Sequence, residues 1–297
     1  MSSIVINTPN GTIGRKVADA LLDAGESLTV ISRTADKAAA LTERGAKLVE
    51  GSIDDAAVIK AAFDGADRLF WLTPPAGYRP DYHEWSVKAA EQAAALASEA
   101  GIKHVVVLSS VGAHSGRGTG PVGCLLEVEE AFKAKIPHVT ILRPGFFFEN
   151  LFRDQMTIQT MGKIFSPAPG DKKFPMIGTD DIAAAAVDAL RGTGDGHQVL
   201  GLHGPEDLTY TELAKQLSEA WGREVSFVQV GLEDARGAMV GAGLPQFAAD
   251  IFVEMYDAML KGAMDPAEAR DEATTTPSTF RDFAKNVFVP ALAGASA

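Results

Sequence analysis

Short apolar runs alternate with helical patterns along most of this chain. The runs carry β-branched and apolar residues at consecutive positions, which is typical of strands buried on both faces of a sheet. Between the runs, apolar residues recur with helical spacing, as Ile13, Val17 and Leu21 do. The predicted strands are Ile4–Ile6, Leu28–Ile31, Lys47–Val49, Arg68–Leu72, His104–Leu108, Val139–Arg143 and Gln198–Leu202. Further helices are predicted at Ala35–Arg44, Ala56–Phe63, Tyr82–Ala100 and Leu125–Ala134.

This order of elements predicts an α/β fold with a doubly wound, parallel Rossmann sheet. Strand–helix–strand repeats with short connections give parallel strands and right-handed crossovers. Residues 1–150 are predicted to form a dinucleotide-binding domain, completed by about 178–204. Residues 151–177 and 205–297 are predicted to form a smaller, mainly helical lobe that holds substrate or acts as a lid.

The second half of the chain carries several boundary signals. Residues 151–177 carry Pro167, Pro169, Gly170 and Pro175 and are predicted to be rich in loops. A helix is predicted at Thr179–Leu190, with Thr179 or Asp180 as its N-cap. The stretch "LTYTELAKQLSEAWG" is predicted to be a capped helix that ends at Gly222. From Leu232 onward the pattern is mainly helical.

Composition narrows the partners. The chain carries 27 Lys and Arg against 39 Asp and Glu, a net charge of −12, and has no basic cluster. We therefore expect no nucleic-acid partner and no membrane, since both attract positive charge. A single cysteine, Cys124, cannot form an intrachain disulfide. Together with the lack of a signal peptide, this predicts a cytoplasmic protein. The spacing of His, Cys, Asp and Glu predicts no metal site.

The loop "NTPNGTIG" after the first strand has features of a pyrophosphate site. Gly11 lets the main chain approach a phosphate, Gly14 lets the helix pack close to the strand, and the helix N-terminus offers free N–H groups. Thr8 stands where the first glycine of a triplet is expected, so its φ must be negative, and Pro9 alters the turn. A plain strand-to-helix turn without a ligand is the alternative interpretation.

Basic residues follow the second strand. An NAD site places an acidic residue there for the ribose hydroxyls, whereas this chain has Arg33 and, one helical turn later, Lys37. Guanidinium and ammonium groups suit a 2′-phosphate. The pair predicts a preference for NADP(H) over NAD(H), with ordinary surface charges as the alternative.

The order and spacing of longer motifs add a resemblance. These motifs are "NTPNGTIG", "GSIDD", "LFWLTPP", "VVVLSSVGAH", "VTILRPGFFFENL", "GTDDIAAAAVDAL" and "GPEDLTYTELAKQLSEAWGREVSFVQV". Over about residues 3–260 the chain resembles the NmrA-like family, an atypical branch of the short-chain dehydrogenase/reductase superfamily. The resemblance implies either an NAD(P)H-dependent quinone reductase or a related reductase, or a regulator that binds the dinucleotide without turning it over.

The resemblance also implies roles for individual residues. Cofactor contacts would come from Thr8, Asn10, Gly11, Thr12, Ile13, Arg33, Lys37, Ile53, Thr73, Pro74, Ser109, Pro144 and Phe146. Of these, Ser109 and Pro144 to Phe146, together with Ser110, would flank the nicotinamide. The chain departs from the family pattern at Thr8, which replaces a glycine. It departs again at Ser52, which replaces an aspartate that often contacts the adenine.

The chemistry depends on a missing pair of residues. Standard superfamily members use a tyrosine and a lysine four residues later, after a serine at the fifth strand. Residues 111–134 of this chain contain no tyrosine. Oxidation of ordinary alcohols through that pair is therefore not expected. A quinone needs less help, because the cofactor carries the difficult step and solvent can supply a proton. Ser110 and His114 remain as candidate catalytic groups, with a solvated loop histidine as the alternative for His114.

Other residues are candidates for a substrate pocket. They follow the fourth strand, follow the sixth strand, or lie on a helical stripe near the C-terminus: Tyr78, His83, Phe147, Phe252, Met255 and Tyr256. Ordinary core packing is the alternative for each. The leading hypothesis is a reductase of a quinone or similar small planar acceptor. The competing hypothesis is a redox sensor that binds NADP and a protein partner. The oligomeric state is left open.

Overall fold

The computed structural model describes residues 2–74 and 79–294. The strands are β1 Ser3–Ile6, β2 Ser27–Ser32, β3 Lys47–Glu50, β4 Arg68–Leu72, β5 His104–Leu108, β6 His138–Pro144, β7 Phe146–Phe147, β8 Lys163–Ser166, β9 Phe174–Ile177, β10 His197–Leu202, β11 Asp207–Leu208 and β12 Ser226–Gln229. The α-helices are α1 Thr12–Asp23, α2 Ala35–Thr42, α3 Ala56–Phe63, α4 Tyr82–Glu99, α5 Leu125–Lys133, α6 Gln155–Met161, α7 Thr179–Arg191, α8 Tyr210–Trp221, α9 Leu232–Gly241, α10 Gln246–Leu260, α11 Phe280–Phe283 and α12 Val289–Gly294.

The main sheet has seven strands in the order β10-β6-β5-β4-β1-β2-β3. All of their pairings are parallel. The strand order reverses between β1 and β4, which is the point where a doubly wound sheet opens a crevice for ligands. The predicted doubly wound Rossmann fold is confirmed, and each of the seven predicted strands is present in it.

Both faces of the sheet are buried. On one face, α1 and α7 cover Ile4, Ile6, Val106 and Leu142. On the other face, α3, α4 and α5 cover the side chains that alternate with these, such as Val5 and Val107. Burial on both faces explains why the strands carry apolar residues at consecutive positions rather than in alternation.

A third hydrophobic cluster is built mainly from residues 148–292, with contributions from Tyr82, Cys124 and Leu125, and we call the region around it the lobe. Phe148 contacts Phe280 and Phe283, and Phe152 contacts Phe288, with ring centroids 5.1–5.6 Å apart. Small sheets support this lobe: β7, β9 and β11 form one, and β8 pairs with β12 in another. The segment from β7 to β9 belongs to the lobe. After it, α7 packs on the main sheet and β10 adds a strand to that sheet.

Two predicted details are wrong. Residues 151–177 form a 3₁₀ helix, α6, β8 and β9 rather than mainly loops, because partners far along the chain supply the pairing. The N-cap of α7 is Gly178, and the Glu149 carboxylate accepts the Thr179 N–H at 3.0 Å in place of a local cap. The prediction that the chain is mainly helical after Leu232 is confirmed for the described residues, with one irregular stretch from Lys261 to Thr279 between α10 and α11.

Candidate active site

The turn from β1 into α1 forms the floor of the site. A Cβ built on Gly14 would lie 2.8 Å from the carbonyl carbon of Thr8 and closer still to its oxygen, so this position needs a glycine. Among the described residues only glycines have positive φ, so Thr8 makes the turn with negative φ, as its side chain requires. Gly11 is the N-cap of α1 and supplies no side-chain cap, so the first N–H groups of the helix remain open to a ligand.

Asn7 joins the two strands at the crevice. Its Nδ2 donates to the carbonyl of Leu72 at 2.9 Å, and its Oδ1 accepts the Leu72 N–H at 2.9 Å. This reciprocal pair fixes the ends of β1 and β4 at one spacing. The sequence reading missed Asn7, since its partner lies 65 positions along the chain.

Two hydroxyl groups at the same edge lack a partner. Thr8 Oγ1 and Thr73 Oγ1 are buried and make no hydrogen bond within the described part of the chain. Buried polar groups are nearly always satisfied. These hydroxyls, with the open N-terminus of α1, therefore fit a polar ligand such as a dinucleotide that reaches the strand ends.

The end of β2 presents the predicted basic residues. Arg33 and Lys37 are exposed, and neither has an ion pair in residues 2–74 or 79–294. Asn10 is tied to this strand end, since its Nδ2 donates to Ser32 Oγ at 2.8 Å. Two unpaired cations beside an uncapped helix terminus give this edge a local positive character, although the chain is acidic as a whole.

The segment after β3 lies between the strand and α4. Ile53 is buried, and Asp54 accepts a hydrogen bond from Trp85 Nε1 at 2.7 Å. Hydrogen bonds from Ser52, the larger effect, and from Trp85 lower the pKa of Asp54, so that it stays ionised. Arg79 lies over the Trp85 ring, 5.0 Å from its centroid. A cavity of about 290 Å³ opens between these side chains.

The two candidate catalytic residues lie just beyond β5. Ser110 is half-buried, and its backbone carbonyl accepts the N–H of Ala113. His114 is exposed on a one-turn 3₁₀ helix, Ala113–Ser115. Cys124 is fully buried, and burial raises the pKa of its thiol, so this side chain packs in the core rather than acting as a nucleophile.

A buried ionic network occupies the side of the site where α5 meets the sheet. Ser109 Oγ donates to Glu129 Oε1 at 2.5 Å. Arg143 donates to both oxygens of Glu129, at 3.0 Å from Nε and 2.6 Å from Nη2. Burial opposes the charge of Arg143, but its contacts with Glu129 and Glu268 outweigh that effect and raise its pKa. From the sequence alone Glu129 looks like an ordinary helix carboxylate, because its partner Arg143 lies on β6 and the contact forms only in the folded chain.

Aromatic residues extend from β6 into the lobe. Pro144 is buried, while Phe146 and Phe147 are half-buried at the strand's end. The Phe146 ring packs edge-on against Phe174, with centroids 5.1 Å apart, and Phe174 packs in the same way against Tyr210 at 6.1 Å. Together these rings form an apolar wall that leads away from the sheet.

Helix α10 carries the remaining pocket residues. Phe252, Met255 and Tyr256 are half-buried, while smaller neighbours such as Ala249 supply the fully buried face. A Cβ on Gly120 would lie 2.6 Å from Met255 Cβ, so the helix rests directly on the segment that precedes α5. Burial raises the pKa of the nearby Asp154 to about 6. The sequence reading did not single out Asp154.

His83 is held by its surroundings. Its Nε2 lies 2.8 Å from the Gly120 carbonyl, which can only accept, so Nε2 carries the proton. Its Nδ1 faces Arg117 Nη1 at 3.4 Å. Tyr78 lies outside the described residues. Within those residues, no group of His, Cys, Asp and Glu is arranged to hold a metal ion.

Comparison with known proteins identifies the family. The model of the NmrA-like family matches residues 1–284. This chain belongs to the NmrA-like family. The NmrA-like chain is 32% identical over 287 residues to an NAD(P)H azoreductase of Xenophilus azovorans, covering 95% of this chain and 96% of that protein. It is 26% identical to quinone oxidoreductase 2 of Escherichia coli (strain K12), over 93% of this chain and 95% of that protein.

A solved structure shares the same architecture. Triphenylmethane reductase of Citrobacter sp., complexed with NADP(H), superimposes with a TM-score of 0.80 over 95% of the NmrA-like chain and 99% of that chain. The identity is 24%, so this likeness concerns the fold. In the described residues, no helix of the NmrA-like chain is both long enough and apolar enough to span a bilayer.

Proposed function

We propose that this chain is an NADP(H)-dependent oxidoreductase that reduces a quinone or a similar small planar acceptor. The observation that carries the proposal is the set of polar and charged groups at the carboxyl ends of the sheet strands. An uncapped helix N-terminus and two buried hydroxyls without partners among the described residues lie at the ends of β1 and β4, where the strand order reverses, and two cations without ion pairs follow the adjacent strand β2. This combination supports a phosphate-rich ligand with an additional phosphate near Arg33 and Lys37.

The residues divide the work of binding. The first N–H groups of α1, at Thr12 and Ile13, would hold the pyrophosphate, and Ile53 would pack on the adenine. Thr73 and Pro74 would follow the ribose, while Ser109, Pro144 and Phe146 would flank the nicotinamide. When bound, the cofactor supplies a hydride to the acceptor, while the protein positions and shields the reacting groups.

The acceptor would enter from the lobe. Phe146, Phe147 and the half-buried side chains of α10 offer apolar walls that suit a flat ring and exclude bulk water. Reduction of a quinone by this route consumes one NADPH and one proton and yields a hydroquinone and NADP⁺. The proton would come from water. Ser110 and His114 are the candidate side chains for passing this proton from water to the acceptor, and His114 is exposed to solvent.

The family resemblance leaves a sensor as the competing function. Relatives of nearly the same length are named as reductases, an NAD(P)H azoreductase and a quinone oxidoreductase, which favours the enzyme. The azoreductase is 32% identical over 95% of this chain, so azo compounds should be tested as hydride acceptors alongside quinones.

The deciding experiment combines binding and turnover. The purified chain is titrated with NADPH and NADH, and NADPH consumption is then followed at the nicotinamide absorbance band with quinones and azo dyes. We expect tighter NADPH binding, turnover of at least one acceptor, and no NADP⁺ reduction by secondary alcohols. Tight NADPH binding without consumption on any acceptor would favour the sensor, and no binding of either cofactor would overturn both functions.

A further inference from the structure

The ionic network beside β5 and β6 contains more negative than positive charge. Arg143 donates to Glu129 through two nitrogens and to Glu268 Oε1 through Nη1 at 2.6 Å. The side chains of Arg143 and Glu129 are 8% and 0% exposed, and that of Glu268 is 18% exposed. Two carboxylates therefore share one guanidinium in a region that solvent screens poorly.

The neighbouring groups do not cancel this excess. His203 lies beside Glu268, since both would meet a Cβ built on Gly201, at 2.5 and 2.7 Å. Burial lowers the pKa of His203, so its ring is neutral near pH 7. The nearby cation Arg270 is already bonded to Asp207 and to the carbonyls of His203 and Gly204. The cluster of Glu129, Arg143 and Glu268 thus keeps a formal charge of −1.

The cluster lies beside the segments that are assigned to the nicotinamide. Ser109, which bonds to Glu129, directly precedes Ser110, and Arg143 directly precedes Pro144. These are the segments assigned above to the nicotinamide. Glu129 itself lies on α5 and is fully buried, so its charge is held at this side of the site.

We propose that the buried cluster of Glu129, Arg143 and Glu268 makes the nicotinamide subsite electronegative and so favours binding of the oxidised cofactor over the reduced one. This inference rests on the proposed function. The nicotinamide ring is neutral in NADPH and positively charged in NADP⁺, so a fixed negative charge in a poorly screened site stabilises the oxidised form selectively. Such a site is biased toward hydride donation, which matches a reductase without the tyrosine–lysine pair.

The test measures binding and needs no substrate. Dissociation constants for NADP⁺ and NADPH are determined for the wild-type chain and for Glu268→Gln, which leaves the bond pair between Arg143 and Glu129 intact. As a general scale, a unit charge about 10 Å from a cation changes its binding by about tenfold at an effective dielectric constant of about 20, and an effect of this order is expected for Glu268→Gln. We expect the ratio of the NADP⁺ constant to the NADPH constant to rise by about that factor.

The matched control is Glu130→Gln. Glu130 is the next residue on α5, is exposed and pairs with Lys133 at the surface, so this variant changes the net charge equally. Its ratio should stay within about twofold of wild type, because solvent screens exposed charges. A merely structural role for Glu268 would weaken both forms of the cofactor together and leave the ratio unchanged.

A second variant covers the case in which Glu268→Gln does not fold. Glu129→Gln removes the other carboxylate and should shift the ratio in the same direction. An unchanged ratio in whichever variant is folded, with both cofactor forms bound, would overturn the inference. A wild-type chain that binds neither form would instead overturn the proposed function.

Discussion

The two glycines of the turn from β1 to α1 should respond in opposite ways to a larger side chain. Gly11 has φ −81° and ψ 163°, which any residue adopts, and a Cβ there would meet only the Thr8 carbonyl oxygen at 3.7 Å. Gly14 has no such room, since its Cβ would lie 2.8 Å from the Thr8 carbonyl carbon. The protein therefore needs Gly14 for its own packing, whereas the space beside Gly11 is free for a ligand.

The magnitudes follow from this difference. Overpacking in Gly14→Ala costs about 1–3 kcal/mol, partly offset by up to about 1 kcal/mol from the better helix propensity of alanine. A net loss of about 1–2 kcal/mol lowers the Tm of a chain of this size by about 2–4 °C. Gly11→Val alters an N-cap and costs at most about 1 kcal/mol of stability. It blocks access to the helix N–H groups, and losing a charge-assisted hydrogen bond of about 1.5–3 kcal/mol weakens NADPH binding by about tenfold to hundredfold.

The assay pairs thermal denaturation with a fluorescence titration of NADPH on both variants. Wild-type NADPH affinity in Gly11→Val would show that the ligand does not approach this turn. Wild-type stability in Gly14→Ala would show that the close packing of α1 on Thr8 carries no energetic weight.

Three further outcomes are expected. Replacing both Arg33 and Lys37 by alanine should weaken NADPH by about tenfold or more while leaving NADH nearly unchanged, since each contact to a 2′-phosphate contributes about 1.5–3 kcal/mol; equal losses for both cofactors in parallel titrations would refute the assignment. His114→Ala should slow quinone turnover only modestly, because water supplies the proton; a loss of hundredfold or more in kcat would make this side chain the acid. Burial lowers the pKa of His104 to about 4, below its unfolded value of about 6.5. Its contribution to stability, about 3 kcal/mol at about 1.4 kcal/mol per pKa unit, is therefore present above pH 6.5 and lost as the pH falls toward 4. The Tm of His104→Gln, in which an amide keeps a bond to Thr140 Oγ1, should fall less steeply over that range than wild type, and parallel slopes would contradict the argument.

The fold was largely readable from the sequence because its signals are local. The central strands of the main sheet, such as β1, β4 and β5, are largely apolar runs, and α3 begins and ends at the predicted residues, Ala56 and Phe63. The helix after Leu208 has its predicted cap, a capping box between Thr209 and Glu212, and ends at Gly222 with φ +71°. The family prediction is likewise confirmed by the match over residues 1–284.

The lobe was less readable, since its short strands depend on distant partners. β8 pairs with β12, and β9 pairs with β7 and β11, so residues 163–177 are held by segments before and after them in the chain. Nothing within a window of ten or fifteen residues distinguishes such strands from loops. The cap of α7 was misplaced for the same reason, because Glu149 reaches it from 30 positions away.

The site divides in the same way. The sequence by itself determined the glycines of the turn, the basic pair after β2 and the lack of a tyrosine on the way into α5, because each is a matter of residue type at a known position. Only the tertiary structure decided how the strand ends are joined and where charge is buried. Asn7 bonds to Leu72 because the parallel strands β1 and β4 lie side by side in the fold. Glu129 bonds to Ser109 and Arg143 because the crossover helix α5 packs against β5 and β6. Burial of Glu129 removes the solvent that would otherwise screen its carboxylate. Its charge therefore acts more strongly on neighbouring groups than an exposed helix carboxylate would.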